Sequence, residues 1–154
     1  MSYRFGTRDA KLGTPLEIDV SPAAAEPVFE VRISYLTHPQ ASGLQWVAPE
    51  QTAGKQHPFL FSQSQAIHAR SWIPLQDTPA VRMTYEAKLQ IPVELVAVMS
   101  AASTGGYPEE GLYQFRMEQA IPSYLIALGV GNLEFKKIGP RTGVYAEPAI
   151  AEAA

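Results

Sequence analysis

The sequence contains no cysteine. That excludes a disulfide framework, a thiol nucleophile and any cysteine-ligated metal, and it suits a reducing compartment. There is no surplus of positive charge: 12 Lys and Arg stand against 15 Asp and Glu, for a formal net charge of −3. Without a basic field, binding to nucleic acid is not expected. No apolar run approaches the ~20 residues that a membrane-spanning helix needs. The opening Met1-Ser2-Tyr3-Arg4-Phe5-Gly6 lacks the apolar core of a secretory signal. The expectation is a cytoplasmic protein without a membrane partner. Long helices are short of room as well, because 13 prolines and 11 glycines are spread along the 154 residues.

Strand patterns fill much of the remainder. Val81, Met83, Tyr85, Ala87, Leu89 and Ile91 alternate with Arg82, Thr84, Glu86, Lys88 and Gln90, the period of a strand with one buried face. Pro92 ends the pattern, since it has no N–H for a ladder. Val93–Met99 reads as a second strand and Leu112–Met117 as a third. Ala101–Glu110, with Ser103, Gly105, Gly106 and Pro108, reads as the long loop of a hairpin between them. Leu16–Val20 and Val28–Tyr35 read as two strands joined by a Pro- and Ala-containing turn. The apolar Tyr124–Phe135 reads as a strand bent or bulged at Gly129 and Gly131. Thr142–Tyr145 is placed to close the sheet. Ala149–Ala154 has good helix propensity but is too short for a stable helix. The expected fold is one all-β domain, sandwich-like or saddle-like, with a short Ala-rich tail.

Few residues carry chemistry. His38 and His57 precede prolines and His68 precedes Ala69, so no His-Glu-x-x-His zinc helix exists. No Gly-x-Ser-x-Gly nucleophile elbow and no phosphate-binding loop occurs. Gly129-Val130-Gly131 lacks the third glycine of a dinucleotide fingerprint and reads as structural. Catalytic and metal-ligating residues are therefore expected to be absent. Phe61-Ser62-Gln63-Ser64-Gln65-Ala66 is the most informative segment. If it is extended, Gln63 and Gln65 share a face about 7 Å apart, each offering a carbonyl acceptor and an amide donor. The pair suits the polar start of a peptide, or equally the polar face of a solvated strand. Asp77 suits a turn or cap acceptor, Arg141 a partner for carboxylate or carbonyl, and Trp46 a core or interface position.

Longer blocks go further. Gly43-Leu44-Gln45-Trp46, Pro49-Glu50-Gln51-Thr52, Gly54-Lys55, His57-Pro58 and Phe61-Ser62-Gln63 come in one order with Gln65-Ala66-Ile67-His68 and Gln76-Asp77-Thr78-Pro79. Pro122 with Tyr124–Leu128, and Ile138–Thr142, complete the series. From Tyr3 to about Ala154 the chain resembles the N-terminal domain of the leukotriene A4 hydrolase and aminopeptidase B branch of the gluzincin aminopeptidases.

That resemblance implies a saddle of β-sheets beside a thermolysin-like catalytic domain. The catalytic domain would bring the zinc ligands, the general-base glutamate and a Gly-x-Met-Glu-Asn loop for the substrate amine. The Gln-x-Gln element matched by Gln63-Ser64-Gln65, with Ala66, would help hold the substrate's N-terminal end. Many sister enzymes have Glu where Gln65 stands, so the amide suits the leukotriene hydrolase-like branch. Residues 1–146 would form the β-domain, entered several strands in and so incomplete on its N-terminal side. Residues 147–154 would begin the connection to the catalytic domain. No cofactor is expected in this chain, and zinc is expected in the parent enzyme. The expected partners are the catalytic domain, a peptide N-terminus and a second copy joined through an exposed strand edge. Epoxide hydrolysis is a further activity that the resemblance allows. A second reading is a free-standing β-domain acting in protein–protein contact. A His-Glu-x-x-His downstream in the reading frame separates the two.

Overall fold

A computed structural model describes residues 2–21 and 28–153. Those residues fall into two compact units, the chain dividing between Leu36 and Thr37. In the first, β1 (Tyr3–Phe5) pairs antiparallel with β2 (Leu16–Ile18). The strand expected over Val28–Tyr35 does not form. Phe29–Tyr35 alternates apolar and polar residues, but it joins no ladder among the described residues, and Val28 and Tyr35 lie open to solvent. The turn expected before it lies outside the described residues.

The second unit holds two facing sheets and a hairpin, all antiparallel and none closed. The four-stranded sheet has β3 (Leu44–Val47), β4 (Phe59–Ser62), β6 (Val96–Met99) and β9 (Leu128–Gly131) in the order β3-β4-β9-β6. The three-stranded sheet is β5 (Arg82–Gln90), β8 (Leu112–Pro122) and β7 (Ala102–Tyr107), in the order β5-β8-β7. The alternation read along residues 81–91 is the alternation observed. The odd-numbered side chains of β5 are half-buried and the even-numbered ones exposed. Ala87 faces Phe115 and Leu89 faces Tyr113 across the β5–β8 ladder. These side chains meet Leu95, Ala97 and Val130, and the small core between the two sheets is built from them together with Leu60, Met99 and Leu128. The Tyr113 hydroxyl donates across the core to the Leu95 carbonyl at 3.2 Å.

Three expectations are corrected here. Residues 102–107 are a strand, not a loop. The positive φ at Gly105 and Gly106 produces a bulge between Ser103 and Gly105 in the β7–β8 ladder, so the glycines kink the strand without ending it. The hairpin is consequently β7–β8, while β6 pairs with β9 in the other sheet. Tyr124–Phe135 splits into a 3-10 turn at Ser123–Leu125, then β9, then the start of β10 (Glu134–Gly139). Gly131 does not bend β9. A Cβ there would stand 2.5 Å from Cδ2 of Phe59, so the missing side chain makes room for that ring. Finally, among the described residues β11 (Thr142–Ala146) pairs only with β10, in a separate hairpin whose turn carries the exposed Arg141. The tail forms turns, in keeping with a segment too short for a stable helix. It packs through Ala151, which is 1% exposed, and Glu147 accepts the Ala53 N–H at 2.6 Å.

Candidate functional site

The candidate segment leaves the four-stranded sheet from its inside. β4 is paired on both sides, Leu60 opposite Trp46 on β3 and opposite Val130 on β9. The ladder continues one residue past the strand, because Gln63 N–H donates to Gly43 O at 2.9 Å. The chain then turns out of the sheet, makes a 3-10 turn at Ala69–Ser71 and reaches Asp77 before entering β5.

The extended geometry expected for Gln63–Gln65 therefore ends at Gln63. The turn begins at Gln65, and the Gln65–Ala66 peptide bond is cis. Gln63, Gln65 and Ala66 are exposed, whereas Ser64 between the glutamines is 2% exposed. Gln63 Oε1 accepts the backbone N–H of Gln65 at 3.3 Å, which ties the two residues together. One acceptor position of Gln63 is thus used locally, while its amide donors and the Gln65 side-chain amide make no hydrogen bond among the described residues.

A buried ionic cluster fixes the far end of the loop. Asp77 Oδ2 accepts from the Arg70 backbone N–H at 3.0 Å and from its Nε at 3.2 Å, and Asp77 Oδ1 accepts from Ser123 Oγ. Burial pushes the Asp77 carboxyl up, but the hydrogen bonds from Ser123 and Arg70 and the guanidinium charge together outweigh it. The net direction is down from the ordinary value of 3.8. Asp77 is an acceptor, as expected, yet its partners include Ser123, 46 positions away, which no local pattern in the sequence announces. Trp46, expected in a core or an interface, is 59% exposed on the edge strand β3.

The histidines do not converge. His38 Nδ1 accepts the Gln40 N–H at 3.1 Å, and His68 Nδ1 lies 2.7 Å from Ser42 Oγ. Among the described residues no three His, Asp or Glu side chains are placed to hold a metal ion. The residues present do not fit a zinc site, and no chemical step is assigned to zinc on this chain. A shallow groove of about 470 Å³ lies between β7 and β8, lined by Thr104, Arg116 and Glu118 among others, and shares no residue with the glutamine loop.

The family model described as the peptidase M1 N-terminal domain matches residues 7–125. The chain belongs to this family. The M1 N-terminal domain described here is 47% identical over 158 residues to leukotriene A-4 hydrolase of Xenopus laevis, covering 98% of this chain and 26% of that protein. It is 45% identical over 133 residues to aminopeptidase B of Rattus norvegicus, covering 86% of this chain and 20% of that protein. The solved structure of native yeast leukotriene A4 hydrolase matches it with a TM-score of 0.82 at 32% identity, over 98% of this chain and 23% of that one. The M1 N-terminal domain thus spans about a fifth to a quarter of the length of these relatives.

Proposed function

We propose that this M1 N-terminal domain supplies one wall of the substrate pocket of a zinc aminopeptidase that removes N-terminal residues from peptides. Gln63, Gln65 and Ala66 are the residues assigned to that wall. The observation that supports the reading is the exposed Gln63–Gln65 pair on a loop tied down at both ends, in a chain whose relatives include an aminopeptidase B. A carbonyl oxygen of either glutamine suits the substrate ammonium, and an amide N–H suits a main-chain carbonyl of the peptide. Zinc, the general base and the water it activates belong, on this reading, to a catalytic domain outside this chain. The proposal places the enzyme in the cytoplasm, in keeping with the absence of cysteine.

The test is the downstream reading frame and its product. The reading requires a His-Glu-x-x-His motif beyond Ala154 and a full-length protein that releases N-terminal residues from peptides. A frame that ends without such a motif, or a full-length product without aminopeptidase activity, overturns it. Self-association of the 154-residue chain through the open β3 edge, where Trp46 is exposed, belongs to the same proposal. Sedimentation across a concentration series checks it, and a strict monomer opposes it.

A further inference from the structure

Three polar residues stand in a row at Gln63, Ser64 and Gln65, and only the middle one is buried. A buried hydroxyl needs a hydrogen-bond partner. Ser64 Oγ has one in the indole of Trp72, whose Nε1–H donates to it at 3.0 Å. The Ser64 carbonyl accepts the His68 N–H at 2.9 Å, so backbone and side chain are both held.

Trp72 is itself fixed from the sheet. Its N–H donates to the Ala69 carbonyl at 3.1 Å and closes the 3-10 turn. Ser71 Oγ accepts the Gly43 N–H at 2.8 Å and donates to the His68 carbonyl at 2.7 Å, which binds the turn to the start of β3. The approach is close. A Cβ on Gly43 would stand 2.5 Å from His68 O and 2.8 Å from Trp72 Cδ1, so the residue must be glycine for the turn to seat. A continuous chain of contacts runs from β3 through the turn and the indole to Ser64.

Although the chain leaves extended geometry after Gln63, exposure alternates along the three residues, with buried Ser64 between two exposed glutamines. Holding Ser64 inward therefore holds Gln63 and Gln65 outward. Rotation of the segment by one residue would bury a glutamine and expose the serine. We propose that the Ser64–Trp72 hydrogen bond sets the direction of the two glutamines, making Ser64 and Trp72 positioning residues for the peptide N-terminus. This rests on the assignment of Gln63 and Gln65 to the substrate pocket.

The test uses the enzyme expressed from its full reading frame and peptide substrates. Ser64→Ala removes the acceptor, and Trp72→Phe removes the donor while keeping most of the ring. Each raises KM by about three- to tenfold and leaves kcat within about twofold, since the peptide end loses its aligned partners while the reacting atoms keep theirs. The double variant is no worse than either single one, because both act through the same bond. A merely structural role would instead lower the fraction of active enzyme, and so kcat, at unchanged KM. That outcome overturns the inference, as does additivity of the two substitutions. Trp72→Phe carries the comparison alone if Ser64→Ala does not fold. If Gln65→Ala raises KM and neither positioning variant does, the inference fails and the pocket assignment stands. If Gln65→Ala also leaves KM unchanged, the pocket assignment itself has failed.

Discussion

Ser123 Oγ donates to Asp77 Oδ1 at 2.5 Å, a buried contact between the turn after β8 and the loop before β5. With the two bonds from Arg70, this contact leaves the carboxylate with a partner on each oxygen. Such charge-assisted bonds are shorter and stronger than neutral ones.

Asp77→Asn is expected to destabilise the folded domain near neutral pH by about 1.5–3 kcal/mol, the range for hydrogen bonds to charged groups. The pH dependence has a definite sign. The folded chain holds the Asp77 carboxyl below its ordinary value of 3.8. Its contribution to stability is therefore complete above that value and is lost as pH falls through the lowered one. The gap in stability between parent and variant should narrow below about pH 3.8. Denaturant titrations near neutrality and in acid check this. A gap that is constant with pH would show that the Asp77 charge contributes nothing.

Gln65→Ala in the full-length enzyme is expected to lower kcat/KM for peptides by about one to two orders of magnitude, the equivalent of one hydrogen bond to a charged group. Gln63→Ala should do less, since one of its acceptor positions already serves the Gln65 N–H. Gln65→Glu should keep or improve peptide cleavage, because a carboxylate suits an ammonium better than an amide does. The same change should harm any anionic substrate without an amine. Steady-state kinetics of the three variants on one peptide measure these differences.

Gly131→Ala tests the seat of Phe59. The added methyl would stand 2.5 Å from Phe59 Cδ2, and the Phe59 ring is also stacked on Phe61 with centroids 5.8 Å apart. Overpacking of this kind costs about 1–3 kcal/mol. Pairing it with Phe59→Leu should recover part of the loss, a non-additivity that unfolding measurements on the single and double variants detect.

The purified 154-residue chain is expected to take up no stoichiometric zinc and to cleave no aminoacyl reporter, since no cluster of ligands is placed to hold the ion among the described residues. Metal analysis and an aminopeptidase assay on the same preparation check both. One equivalent of tightly held zinc together with turnover would contradict the division of labour proposed here.

Much of the architecture was legible in the sequence. The period-two pattern along residues 81–91 gave β5 with the correct face inward, because one side of that strand is solvated. Failures came where tertiary context overrides local signals. Gly105 and Gly106 look like loop residues but mark a bulge, and Val28–Tyr35 has strand composition but pairs with no strand among the described residues. For the candidate site, the Gln-Ser-Gln run was visible from spacing, while its supports were not. Trp72 meets Ser64 only because a turn folds back, and Ser123 meets Asp77 only after an entire sheet has intervened.

The central place of β4 has a consequence for how the domain is made. Its first partner, β3, lies just upstream, but its second, β9, begins 66 residues after Ser62, to whose hydroxyl Leu128 N–H donates. At about 5–20 residues per second on the ribosome, that interval lasts roughly 3–13 s. Throughout it β4 presents an unpaired edge, the kind of surface on which nascent chains stick to one another. The Asp77–Ser123 contact, which fixes the far end of the glutamine loop, likewise waits until residue 123 has been made. Slowing translation downstream of residue 62 should therefore prolong the stage at which the nascent domain depends on chaperones.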